Sequence, residues 1–156
     1  MNKPRLQIVR GLPGSGKSTY AHKNWPQLLK LEFDYFCMRG GAYSWGKQRN
    51  AEGQKWLRQQ IVDACMNGID FVVCGVFAGT HENFELIVKL AEAYGYDVWV
   101  KTLAGNFGNI HGVRQQDYEA MRSAFKSDEE LCAGLLDVRI GDMPRAYNIE
   151  PLPDGV

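Results

Sequence analysis

Apolar and polar positions along the chain change period several times. Leu6 to Arg10 alternates apolar and polar and stops at Gly11, which predicts a short first strand. From Ser18 the pattern reads as helix until Pro26, a residue that ends a nearby helix. Leu28 to Phe33 predicts a second strand. Leu57, Ile61, Ala64 and Cys65 share one face of a helix, and Asn67-Gly68 ends it. Ile69 to Val76 is a near-continuous apolar run, the pattern of a strand covered on both faces. Thr80 can cap a third helix, on which Phe84, Ile87, Val88 and Ala91 share a face and which Gly95 closes. Asp97 to Leu103 predicts a fourth strand, and Tyr118, Met121 and Phe125 mark a fourth helix. From Val138 onward, Gly141, Pro144, Pro151 and Pro153 suit one short strand and then a frayed tail over 138–156.

Strands and helices thus alternate, which predicts an α/β fold: a central parallel sheet with helices on both faces. In such sheets ligands bind beyond the carboxyl ends of the strands. That rule puts the loops starting near 11, 34, 75 and 104 on one rim. The length, 156 residues, suits one domain spanning 1–156. With 45% apolar and 23% charged residues the chain has globular composition, which argues against disorder. Eighteen basic side chains offset 18 acidic ones, so bulk charge draws it to neither nucleic acid nor membrane, although a local basic groove stays open. Cys37, Cys65, Cys74 and Cys132 form no CxxC pair and have no histidine at metal-ligand spacing, so they are expected as reduced thiols. No apolar run approaches the ~18 residues of a membrane span. No apolar segment follows Lys3, Arg5 and Arg10, so neither a signal peptide nor a membrane partner is expected, and the cytoplasm is.

The chemistry sits between the first strand and the first helix. Gly11-Leu12-Pro13-Gly14-Ser15-Gly16-Lys17-Ser18 matches G-x-x-x-x-G-K-[ST] in full, and Thr19 follows. Glycines let the backbone wrap with its N–H groups turned inward, and the helix behind adds the positive end of its dipole. Lys17 can reach β- and γ-phosphates, and Ser18 can ligate Mg²⁺. The run is a P-loop (Walker A) that would cradle a nucleoside triphosphate, ATP with Mg²⁺. There is no NKxD base-recognition motif, and the length leaves little room for the extra strands of motor or AAA-type ATPases. A nucleoside-kinase-like P-loop fold is therefore favoured.

Residues 6 to about 126 resemble the polynucleotide kinase-like family of P-loop kinases, which includes phage and animal 5′-hydroxyl nucleic-acid kinases and related phage ATPases. The likeness rests on Gly11 to Thr19, on Phe33-Asp34-Tyr35-Phe36 after the second strand, and on Gly108-Asn109-Ile110-His111-Gly112-Val113 with Met121 behind it. It implies ATP and Mg²⁺ as cofactors and a nucleic-acid end or nucleoside as acceptor. Four departures stand out. Phe33 replaces the family's base, the first Asp of an Asp-Asp pair, and Phe36 stands where an arginine often follows. Gly75-Val76-Phe77-Ala78 replaces Asp-x-Thr-Asn after the third strand, and Gly108 replaces the lid arginine.

Neighbouring residues could take over. Glu32 and Asp34 flank Phe33 and would share one face of a strand. Asp34, nearer the ligand rim, is the candidate base, and its other reading is a loop cap. Arg114 could close over a γ-phosphate as an arginine finger does, and Arg39 could replace the arginine expected near 36; the other reading of each is a solvated surface charge. His111 is a nucleotide contact or a loop hydrogen bond. Tyr35, Phe36, Tyr43 and Trp45, with Arg39, Lys47 and Arg49 between them, could stack a base or form a small core on the sheet. Trp56 and Trp99 read as core or helix–sheet contacts, with no functional role. The expected catalytic set is Lys17, Asp34 and Arg114. The expected function is transfer of the ATP γ-phosphoryl to a hydroxyl. The alternatives are an ATP-binding module acting through a protein partner, or a slow ATPase.

Overall fold

The computed structural model describes residues 3–32, 47–77, 81–104, 115–135 and 137–145. Five strands, β1 (Arg5–Arg10), β2 (Leu29–Glu32), β3 (Phe71–Gly75), β4 (Asp97–Thr102) and β5 (Val138–Ile140), form one sheet in the order β2-β3-β1-β4-β5. Every pairing is parallel. The helices are α1 (Lys17–Asn24), α2 (Lys47–Met66), α3 (His81–Ala93), α4 (Gln115–Ala124) and α5 (Asp128–Leu131). The α/β fold with a central parallel sheet is thus the one expected.

Two apolar layers hold the sheet. On one face Leu6, Ile8, Leu31, Phe71, Val73, Val98 and Val100 meet Leu57, Ile61, Ala64 and Cys65 of α2 and Phe84, Ile87, Val88 and Ala91 of α3. Both predicted helix faces are therefore core faces. On the other face Val9, Val72 and Cys74 pack with Ala21, Trp25 and Met143. Trp56 and Trp99 lie partly buried against these layers, as expected.

Because β1 is the middle strand, it is covered on both sides, and its polar residues Gln7 and Arg10 are buried with partners rather than turned to water. Gln7 donates to the Gly141 carbonyl at 3.1 Å and accepts the Met143 N–H at 2.6 Å. Tyr20 of α1 donates to the Asp142 carboxylate at 2.7 Å, and Arg145 binds the same carboxylate at 3.0 Å. Residues 141–145 are thereby fastened across α1.

Two sequence expectations are corrected in detail. Phe125 is not a helix residue: α4 ends at Ala124, and the Phe125 ring lies 4.0 Å beneath the Arg10 guanidinium. A further helix, α5, follows it, capped by Ser127, whose Oγ accepts the Glu130 N–H at 3.1 Å. The Ser127-x-x-Glu130 capping box is the signal that announces α5 in the sequence. Cys65, Cys74 and Cys132 are free thiols. Among the described residues no helix is long and apolar enough to cross a membrane.

Candidate nucleotide site

All strands being parallel, the strand ends at Arg10, Glu32, Gly75 and Thr102 lie on one rim of the sheet. The turn after β1 carries the glycine-rich motif. Ser15 N–H bonds the Leu12 carbonyl at 3.0 Å and closes the bend. Gly14 and Gly16 stand at φ 80° and 88°, the left-handed region that side-chain-bearing residues avoid. Gly16 is the N-cap of α1, so the left-handed turn feeds straight into the helix. A Cβ on Gly11 would lie 2.3 Å from Ser15 Oγ and 3.1 Å from the Leu103 carbonyl, so the strand end needs glycine to pass the loop.

Lys17 is buried and donates to the carbonyls of Gly11 at 3.0 Å and Leu12 at 3.1 Å. Its ammonium therefore spans the loop, at the place where a phosphate chain would lie. Ser18, in the first turn of α1, makes a long hydrogen bond of 3.4 Å to Glu32 Oε2 at the end of β2. Ser15 Oγ is buried with no hydrogen-bond partner. Left-handed glycines, one buried cation, a serine hydroxyl at the helix start and an orphaned hydroxyl make a donor-rich concavity. Its chemistry fits a polyphosphate and its magnesium ion.

The neighbouring strand end differs from the expected chemistry for a visible reason. Phe77 is buried with φ 46°, and its ring packs edge-on against Phe84, centroids 6.1 Å apart. A Cβ at Gly75 would meet that ring at 2.7 Å. The Gly75 and Phe77 departures are thus one structural unit, and no carboxylate fits at 75 while the ring is there.

Arg10 lies at the same rim, as the last residue of β1. Its side chain is wholly buried beside the loop. It binds Asp128 at 2.9 Å, Thr102 Oγ1 at 3.2 Å, and the carbonyls of Phe77 at 3.0 Å and Lys126 at 2.7 Å. Thr102 Oγ1 also donates to Asp128. Burial lowers the Arg10 pKa, and Asp128 opposes that shift. The guanidinium thus joins the ends of β1, β3 and β4. No periodicity signals such a residue; the Arg10-Gly11 junction with Thr102 and Asp128 far along the chain is a tertiary feature.

Of the residues singled out in the sequence, Gly11 to Thr19 come together here. Asp34, Arg39, His111 and Arg114 lie outside the described residues, as do Phe33, Phe36, Gly108 and the aromatic loop Tyr35, Tyr43 and Trp45. A polar cleft of about 600 Å³ between Glu92, Asp137 and Arg139 opens at the amino ends of β4 and β5, the rim opposite the loop.

No protein-family model matches the chain. Its fold matches that of an RNA repair complex chain, Pnkp1/Rnl/Hen1, with a TM-score of 0.53 at 17% identity, over 93% of this chain but only 42% of that one. It also matches Kti12 of Chaetomium thermophilum in complex with ADP-AlF3, with a TM-score of 0.57 at 12% identity, over 87% and 88% of the two chains. The APS kinase CysC of Mycobacterium tuberculosis matches with a TM-score of 0.50 at 17% identity, over 79% of this chain and 95% of that one. The fold is that of P-loop kinases. In sequence, the chain is 32% identical over 126 residues to the uncharacterized protein PM0531 of Pasteurella multocida, covering 71% of this chain and 70% of that protein. The chain belongs to the family of PM0531.

Proposed function

We propose that this protein binds ATP with Mg²⁺ in the loop between β1 and α1 and transfers the γ-phosphoryl group to a hydroxyl of a nucleic-acid end or nucleoside-type acceptor. One observation carries the reading: a complete phosphate-loop motif in its strand–turn–helix setting, with Lys17 held across the loop by the Gly11 and Leu12 carbonyls. The acceptor class draws support from the resemblance around Asp34 and His111, and from an RNA repair complex among the proteins of like fold.

Phosphoryl transfer needs positioning and charge neutralisation more than covalent help from the protein. Lys17 exchanges its carbonyl partners for phosphate oxygens. The inward N–H groups of the loop fix the β-phosphate. Ser18 turns its hydroxyl to the cation, which when bound offsets charge on the β- and γ-oxygens. The acceptor oxygen attacks the γ-phosphorus, the bond to the β–γ bridging oxygen breaks, ADP leaves, and the acceptor proton passes to Asp34. Arg114 closes over the transferred group.

The test is incubation with γ-labelled ATP and a panel of 5′-hydroxyl DNA and RNA oligonucleotides and nucleosides, for wild type, Lys17→Ala and Asp34→Ala. Label is expected on at least one acceptor, lost in Lys17→Ala and reduced in Asp34→Ala by the roughly 10²–10⁴-fold that a general base supplies. Tight ATP binding with no labelled acceptor would instead make the chain a nucleotide-binding module or slow ATPase.

A further inference from the structure

We infer that Glu32 supplies, from the end of β2, the carboxylate that holds the nucleotide-bound Mg²⁺ together with Ser18; this rests on the nucleotide-binding reading above. P-loop proteins pair the loop hydroxyl with an acidic residue from the sheet to hold that ion. Here the immediate neighbours of β1 offer none among the described residues. The β3 end reads Gly75-Val76-Phe77, closed by the Phe77 ring, and the β4 end reads Thr102-Leu103-Ala104.

Two other carboxylates near this rim are already engaged. Asp128 is held by Arg10 and Thr102, and Asp142 by Tyr20 and Arg145. Glu32 is different. In the sheet it stands opposite Cys74, and residues paired in parallel register point to the same face. Cys74 packs on the α1 side with Ala21 and Trp25, so Glu32 faces the same helix. Its carboxylate is buried, at 8% exposure, and among the described residues its hydrogen bond is the one from Ser18 Oγ at 3.4 Å. That is long for a hydroxyl–carboxylate bond, which usually runs 2.5–2.7 Å. A buried carboxylate so weakly satisfied, aimed at the hydroxyl that ligates the ion, is an acceptor poised for a cation or a cation-bound water. The acidic function has moved one strand outward, from β3 to β2, at the level of Cys74.

Calorimetric titration with ADP, in Mg²⁺ and in EDTA, reads this directly. Wild type is expected to bind at least ~10-fold more tightly with Mg²⁺, and Glu32→Gln to lose that gain while keeping or improving its affinity in EDTA, where the carboxylate repels phosphate; second-sphere partners are worth about 10–100-fold in metal affinity. A second measurement needs no variant: protein labelled with ¹³C at its glutamate carboxyls, loaded with Mn²⁺–ADP, should show a ¹³C coupling to the manganese by electron–nuclear double resonance. An equal Mg²⁺ gain in Glu32→Gln, or no coupling in the labelled complex, overturns the Glu32 assignment and leaves the nucleotide reading standing. Absence of ADP binding by wild type in both buffers removes the nucleotide reading itself. Should Glu32→Gln fail to fold, the coupling decides.

Discussion

The Arg10 guanidinium and the Asp128 carboxylate meet at 2.9 Å, with Arg10, the last residue of β1 before the phosphate loop, wholly buried. Breaking one partner of such a pair strands a charge away from water, which costs about 3–5 kcal/mol. Arg10 keeps three other acceptors, so Asp128→Ala should fall near the lower end, about 3 kcal/mol. Urea unfolding followed by far-ultraviolet circular dichroism measures it. A loss below about 1 kcal/mol would make the pair a surface-like contact.

Gly75 and Phe77 should behave as a coupled pair. Gly75→Ala forces the Phe77 ring aside, and overpacking of this kind costs about 1–3 kcal/mol. Phe77→Gly removes the ring and relieves the strain of a side chain at positive φ, at the cost of a cavity against Phe84. The double variant should be more stable than the sum of the two single effects by roughly 0.5–3 kcal/mol. Strict additivity in a double-mutant cycle would show that the two residues do not compete for the same space.

Gln7 holds Gly141 and Met143 through one amide. Gln7→Leu leaves a carbonyl and an N–H without their partner, and each costs about 1–3 kcal/mol when buried. Hydrogen exchange should show faster exchange at the Met143 amide than at the Ile8 and Val9 amides of β1. Unchanged protection at Met143 would mean that packing of its side chain alone holds the segment.

Burial pushes the Cys65 thiol up to about 11 from an ordinary value near 9. Below pH 9 both folded and unfolded forms carry the proton, and the full stability is present. Between about 9 and 11 the unfolded chain loses its proton first, so stability falls as pH rises. Cys132 behaves likewise, pushed up to about 11 by burial and then by Asp128. The urea midpoint should decline from pH 9 to 10.5, and Cys65→Ala should make that decline shallower. At pH 8 Cys65 should react with a disulfide reagent only after denaturant is added.

Much of the fold was legible because it is written in local periods. The helix faces at Leu57, Ile61, Ala64 and Cys65 and at Phe84, Ile87, Val88 and Ala91 are the core faces observed. The phosphate loop was legible because its residue types serve backbone geometry, as Gly14 and Gly16 show. What could not be read was tertiary. The partners of Arg10 include Phe77, Thr102, Lys126 and Asp128, and those of Gln7 include Gly141 and Met143, so neither role has a spacing to betray it. The alternation from Leu6 to Arg10 marks a strand but does not tell which neighbours cover its polar positions, because it counts residue types and not neighbours. Glu32 shared a predicted strand face with Asp34, but its meeting with Ser18 depends on where α1 crosses the sheet.

The blocked end of β3 also works as a historical ratchet. An acidic newcomer at position 75 meets an aromatic ring before it meets any ligand, and displacing the ring breaks its packing on Phe84 while the Arg10 guanidinium holds the Phe77 carbonyl in place. Relatives of this chain should therefore divide cleanly, with aspartate at 75 found beside small residues at 77, and the aromatic found beside glycine. A lineage that has crossed to the second state returns only by changing both positions together.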